Sequence, residues 1–134
     1  MANAIYPKWR EALISGAANS GLNGTVKCAL VDTGTYTYSA AHQFLTDLTG
    51  RVGTDQTLAT KTYTNGTFDA DDVVFPAVTG ATVEALAIYI DTGTPATSRL
   101  VAYMDTGVTN LPFTPNGGNA NLGFNAGGIL VFGG

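Results

Sequence analysis

Thr82-Val83-Glu84-Ala85-Leu86-Ala87-Ile88-Tyr89-Ile90, followed after a short connection by Arg99-Leu100-Val101-Ala102-Tyr103-Met104, is the stretch on which the fold turns. Both segments have strand length and are rich in β-branched, aromatic and aliphatic residues. An extended chain sends alternate side chains to opposite faces. One face of the first segment then carries Val83, Ala85, Ala87 and Tyr89; the other carries Glu84, Leu86, Ile88 and Ile90. Residues 99–104 are also apolar on both sides. A sheet with one wet face alternates cleanly between polar and apolar. Here both faces need cover. A sandwich buries one, and the N-terminal helix or a neighbouring subunit buries the other.

The surrounding chain reads mostly as strand and turn. Residues 25–31 alternate, with Val26, Cys28 and Leu30 on one face. Residues 61–64 and 67–69 flank Asn65-Gly66, the residue pair that supplies both positive φ angles of a type I′ hairpin turn. Residues 73–78 form a strand interrupted by Pro76, which favours a sheet edge or a bend. Short strands near 119–124 and 129–132 are separated by Asn125-Ala126-Gly127-Gly128. Only the start reads clearly as helix: Pro7 suits a first turn, and Gly16 suits a left-handed stop. Its expected buried side is Tyr6, Trp9, Leu13 and Ile14. A weaker helical turn near 42–48 would bury Phe44, Leu45 and Leu48. These readings predict a mainly β, single-domain β-sandwich or jelly-roll-like fold over residues 1–134, with 1–20 as a helical arm and 21–134 as the sandwich.

Composition narrows the function classes. The chain has 134 residues, 45% of them apolar, enough for one folded domain. Charged residues are only 12%, against a usual share of about 25%. The polar exterior must therefore come from 20 threonines and from Ser, Asn and Gly. Monomers usually carry more surface charge for solubility, so a partner-covered exterior is expected. With a net charge of −4 and six scattered basic residues, no nucleic-acid partner is expected. The longest apolar run, residues 85–90, is too short to span a bilayer, so no membrane partner is expected either. Lys8, Arg10 and Glu11 stand where a secretory signal would need an apolar stretch. The single cysteine, Cys28, sits in a strand pattern and reads as a buried filler.

The motif with most catalytic promise is Asp-Thr-Gly, which follows an apolar strand at Asp32, Asp91 and Asp105. Aspartic proteases carry their carboxylate on such a loop, and the small dimeric type obtains its second carboxylate from a partner. Three copies exceed what such a subunit needs, and Thr94 and Val108 differ from the usual residue after the glycine in one or another copy. No Ile-Leu-Gly-Arg or Ile-Ile-Gly-Asn motif supports the loop. The simpler reading is a strand-terminating turn: Asp accepts backbone N–H groups and Gly takes positive φ. A retropepsin-like dimer thus stands as the minority alternative. The acidic group Asp69, Asp71 and Asp72 has the oxygen chemistry of a calcium site but not its loop spacing, so a solvated turn is preferred. His42 is alone and cannot build a zinc site with one distant cysteine. Asn23-Gly24-Thr25 and Asn65-Gly66-Thr67 match the glycosylation pattern but read as turns. The glycine-rich end from Asn116-Gly117-Gly118 to Gly133-Gly134 lacks the lysine of a phosphate loop. No cofactor, metal or catalytic residue is expected.

Several stretches together resemble small virion proteins of tailed bacteriophages. They are the opening Met1-Ala2-Asn3-Ala4-Ile5-Tyr6-Pro7-Lys8, the run from Val31-Asp32-Thr33-Gly34 through Thr35-Tyr36-Thr37-Tyr38-Ser39-Ala40-Ala41-His42, Ile88-Tyr89-Ile90-Asp91-Thr92-Gly93, and Leu111-Pro112-Phe113-Thr114-Pro115-Asn116-Gly117-Gly118. The last segment is poorer in charge and Trp than that pattern. The resemblance implies a capsid decoration (cement) protein: small, β-rich, a homotrimer, made in the bacterial cytoplasm and bound to major capsid protein on the virion surface. A tail, baseplate or fibre-tip module is the alternative within the same class. The resemblance brings no catalytic residues. The aromatics Tyr6, Trp9, Tyr36, Tyr38 and Phe113 are the expected partner contacts, since aromatic side chains anchor interfaces.

Overall fold

A computed structural model of the chain describes residues 3–124 and 129–131. It is mainly β with one short helix. In chain order the strands are β1 (Ala4–Ile5), β2 (Val26–Val31), β3 (Arg51–Thr57), β4 (Thr62–Thr64), β5 (Thr67–Asp69), β6 (Val73–Phe75), β7 (Ala85–Ile90), β8 (Arg99–Met104), β9 (Ala120–Leu122) and β10 (Leu130–Val131). The helix α1 spans Pro7–Ser15. The main sheet has five strands in the order β1-β8-β7-β2-β3; smaller sheets join β10-β5-β4 and β6-β9. Every pairing is antiparallel.

β7 lies at the centre of the main sheet and is buried at all six positions. The chain itself covers both faces. Leu86 stands opposite Leu30, Ile88 opposite Cys28 and Ile90 opposite Val26, so these residues share one face. Val78, just beyond β6, reaches that side: it and Leu30 lie 3.5 and 4.0 Å from where a Cβ on Gly53 would sit. Ile129 borders a small cavity on the same side with Ala102 and Met104. The opposite face is lined by smaller residues. Ala87 stands opposite Ala29 on one side and Tyr103 on the other. The rings of Tyr36 and Tyr38 lie 6.2 and 5.6 Å from that of Tyr103, so residues 36–38 close over this side. Small alanines leave the room that the tyrosine rings occupy.

The local expectations fare unevenly. The Asn65-Gly66 hairpin forms, with φ of 52° and 78° at its two central residues. β6 stops at Phe75, where Pro76 cannot donate to a ladder. α1 ends on Gly16 at φ 68°, as expected. Its expected buried side matches in part: Tyr6 and Trp9 are buried as expected. Ala12 is buried as well, but Leu13 is 37% exposed and Ile14 87% exposed. Tyr6 precedes the helix and so does not fix its face; the stripe begins at Trp9, runs to Ala12 and turns Ile14 outward. The segment near 42–48 is a single 3-10 turn at Leu45–Asp47, with Leu45 and Leu48 buried. Residues 82–84 do not extend β7. Val83 instead bridges Phe113, while the Glu84 N–H still bonds the Val31 carbonyl at 3.1 Å. β3 is a strand that the hydrophobic pattern did not announce: it is an edge strand with Val52 alone buried. The turn at 125–128 and the Gly133-Gly134 end lie outside the described residues.

Burial at the sheet centre gives the first expectation. Ile88→Ala removes a fully buried side chain and should cost about 2–5 kcal/mol, read as a lower urea midpoint at unchanged slope. Ile14→Ser, on the outer side of α1, should change stability by less than about 0.5 kcal/mol.

Candidate functional site

Antiparallel order decides where the three Asp-Thr-Gly turns go. Asp32 follows directly on β2 and Asp91 on β7, so these two turns lie at opposite ends of the sheet. β8 runs alongside β7 in the opposite sense, which brings Asp105 to the Asp32 end. Between them opens a cleft of about 420 Å³, lined by Thr33, Tyr36, Thr37, Tyr38, Glu84, Tyr103, Asp105 and Pro112. Tyr36 and Tyr38, which the sequence singled out as contact aromatics, are part of its lining.

The turns are built by the aspartates themselves. Asp32 Oδ1 accepts the Gly34 N–H at 2.9 Å, and its Oδ2 accepts the Thr35 hydroxyl at 3.2 Å. Asp91 Oδ1 accepts the Gly93 N–H at 3.0 Å, and Asp91 pairs with Lys27 at 3.3 Å. The Gly93 N–H holds the Asp91 carboxyl below the usual carboxylate range, with Lys27 and Ser98 adding to it against a desolvation cost. At the third turn the N-terminal strand contributes. Asn3 Oδ1 accepts the N–H groups of Asp105 at 2.6 Å and Thr106 at 2.9 Å. Thus the motif's own carboxylate captures backbone N–H groups after β2 and β7, and Asn3 does this after β8. Gly50 shows how tightly the first turn is closed: its carbonyl accepts the Asp32 N–H at 2.8 Å. A Cβ there would sit 2.9 Å from the Asp32 carbonyl oxygen, at a φ of +69°.

Beneath the cleft lies a hydrogen-bonded aromatic cluster. Tyr6 Oη and Tyr36 Oη are 2.7 Å apart, and Tyr36 Oη is 2.7 Å from His42 Nδ1. A consistent relay has Tyr6 donating to Tyr36, and Tyr36 donating to an unprotonated Nδ1. The Tyr6 and Tyr38 rings are 5.1 Å apart, which ties the relay to the cleft wall. Burial pushes the Tyr6 hydroxyl far above its ordinary pKa, and the bond to Tyr36 adds to it. Burial also pushes Tyr36 up to about 12. Tyr103 is raised by desolvation and by the nearby carboxylates of Asp105 and Glu84. Asp47 takes N–H bonds from Gln43 and Phe44 and is lowered chiefly by the first of them. Glu84 Oε1 accepts the Thr33 N–H at 3.1 Å. The cleft is therefore acceptor-rich and aromatic-walled. It suits a donor such as an amide or a basic side chain, with cation–π attraction from the rings.

Of the expected contact aromatics, the structure brings Tyr6, Tyr36 and Tyr38 together. Tyr6 is fully buried, Tyr36 is buried with only an edge on the cleft, and Tyr38 is half-buried. Trp9 is also buried and donates its indole N–H to the Ser20 carbonyl at 2.9 Å, which fastens α1 to the following loop. Phe113 lies apart, half-buried, on a different groove. Tyr103, Glu84 and Asp105 are the cleft residues that sequence reasoning did not single out as contacts. Their signal was register: the end of β8 had to meet the end of β2 once both paired with β7.

The remaining candidates disperse. Asp69 Oδ1 accepts the Ala70 N–H at 2.9 Å, and Asp72 Oδ1 accepts the Phe124 N–H at 3.1 Å. Among the described residues no three His, Cys, Asp or Glu side chains gather as a metal site, and no helix is long and apolar enough to cross a membrane. Cys28 is fully buried, and desolvation raises its thiol pKa, with Asp55 adding to it. A bulge in β3 swings Asp55 toward β7, where it accepts the Tyr89 hydroxyl at 2.5 Å and pairs with Arg51 at 2.7 Å. Compared with protein families and with curated proteins, the chain matches no family model and no curated sequence.

Two expectations follow from these bonds. Tyr36→Phe strands the Tyr6 hydroxyl in the core and should cost about 1–3 kcal/mol in chemical denaturation. Adding Tyr6→Phe should then cost less than it does in the wild-type chain. The second concerns acid. A carboxyl whose folded pKa is depressed gives stability above its unfolded value near 3.9, and loses it as pH falls through the folded value. Asp91→Asn should therefore flatten the acid limb of a stability–pH curve below about pH 4 while leaving its neutral slope alone.

Proposed function

We propose that the chain is a structural protein of a tailed-phage virion: a capsid decoration (cement) protein that trimerises and bridges major capsid protein subunits on the head. The observation that carries this reading is that the side chains with most chemistry are spent inside the fold. Asp32 and Asp91 hold turns, Tyr36 joins Tyr6 to His42, and Cys28 is sealed in the core. What faces outward is a weakly charged surface, 12% charged residues in all, with Ile14, Tyr63 and Val74 exposed. Such a surface repels neighbours weakly and accepts close packing.

The mechanism is linkage. A protein that binds the assembled shell and not its loosened form stabilises the shell by about 2.7 kcal/mol when present at 100 times its dissociation constant. A trimer multiplies weak contacts through effective concentration. We assign one of these contacts to the cleft beside Tyr38 and Tyr103. Glu84 and Asp105 there give the negative side of a charge-complementary contact, and a basic or amide-bearing segment of the capsid supplies the positive side.

Electron microscopy of purified particles tests the placement: density for this chain on the head surface is expected, and density confined to the tail would transfer the chain to the alternative virion role. Binding to empty capsids tests the contact. Glu84→Gln keeps the acceptor for Thr33 and removes the charge, so it should weaken binding most at low salt. Capsids no harder to disrupt with the wild-type chain than without it would end the cement reading.

A further inference from the structure

A second groove, formed largely by the chain that follows β8, has a different character. It encloses about 270 Å³ and is lined by Asn110, Phe113, Thr114, Pro115, Asn116, Gly118, Asn119, Ala120, Asn121 and Leu122. No charged side chain lines it. Amides dominate, with Phe113 as the one aromatic ring.

The amides are held in place. Asn110 Nδ2 donates to the Asn121 carbonyl at 2.6 Å. Asn116 Oδ1 accepts the Gly118 N–H at 2.9 Å, and Asn119 Oδ1 accepts the Ala77 N–H at 3.2 Å. Each of these bonds uses one half of an amide and orients the other half. The acceptor of Asn110 and the donors of Asn116 and Asn119 have no further partner among the described residues. Asn121, on β9, is exposed, and among the described residues its amide holds no hydrogen bond. The walls are pinned as well: Gly117 and Gly118 bond Val78, and Phe113 and Val83 exchange backbone hydrogen bonds. Ordering these groups on binding therefore costs little, since the fold has ordered them already.

We propose that this groove binds a neutral saccharide. An uncharged lining offers no opposite charge to a full anion or cation, so a neutral ligand loses less on leaving water. A purely apolar ligand would strand the free amide groups. A sugar ring matches on both counts. Its hydroxyls donate and accept, as amides do, and its C–H face can lie on an aromatic ring such as Phe113. The volume is near the small end of the roughly 300–1,000 Å³ typical of ligand sites, which suits one sugar ring or the end of a short glycan. The inference goes beyond the capsid reading and does not depend on it.

The test is saturation-transfer NMR on the intact chain with glucose, galactose, mannose, N-acetylglucosamine and their β-methyl glycosides, followed by amide shift mapping. At least one sugar should bind with a dissociation constant of about 10 mM or tighter, which corresponds to roughly 2.7 kcal/mol. Shifts should centre on residues 110–122. Asn121→Ala removes a side chain that holds no part of the fold, and should weaken that sugar at least fivefold while the spectrum elsewhere is unchanged. Phe113→Leu, which keeps the apolar packing, should also weaken it. No transfer to any sugar of the set would overturn the proposal. So would shifts mapping elsewhere, or binding that Asn121→Ala leaves intact.

Discussion

Burial of β7 on both faces is the constraint from which the rest of the structure follows. A strand with no exposed residue must have a layer on each side. The chain meets this with unequal layers. Toward Leu86, Ile88 and Ile90 it sets Val78, from the segment after β6, and Ile129. Toward Ala87 and Ala29 it sets tyrosines, which fit because the alanines leave space. A β7 with large side chains on that face would push the rings of Tyr36 and Tyr38 away from Tyr103, and the cleft would lose its wall. Packing therefore positions the site, and the site needs no dedicated scaffold.

Polar groups follow the same logic. A tyrosine that fills a core must satisfy its hydroxyl. Tyr6 does so through Tyr36, Tyr36 through His42, and Tyr89 through Asp55. The Tyr6–Tyr36 and Tyr89–Asp55 bonds join segments distant in sequence, so they fix how layers sit as well as stabilising them, while Tyr36–His42 closes a local loop. The Asp-Thr-Gly turns do comparable work at strand ends. They convert a residue triplet with catalytic associations into a local device for ending a strand where its neighbour's turn begins.

The fold was legible where one rule dominated. Residues 85–90 and 99–104 announced two-sided strands through continuous apolar character, and Asn65-Gly66 announced its hairpin through backbone geometry. Legibility failed where tertiary pairing decided. β3 carries Gly, Thr, Asp and Gln and has no apolar alternation; it is a strand because β2 offers it a ladder. α1 lies where expected, and Tyr6 and Trp9 are buried as expected, but Ala12 takes the inward position expected of Leu13 and Ile14. The cleft was half visible. Tyr36 and Tyr38 stood out as aromatics, but Tyr103, Glu84 and Asp105 join them only through strand register. The amide groove was hidden in residues that read as turn formers, since Asn serves turns and ligands with the same atoms.

The central claim is that one chain closes its own core on both sides of the main sheet and leaves its exterior for contact. Amide hydrogen exchange of the free protein, measured at two widely separated concentrations, tests it most directly. The account predicts that β7, β2 and the middle of β8 exchange slowest and equally slowly at both concentrations. Fast exchange in β7, or protection that fades on dilution, would mean that a partner covers one of those faces, and the claim would be wrong.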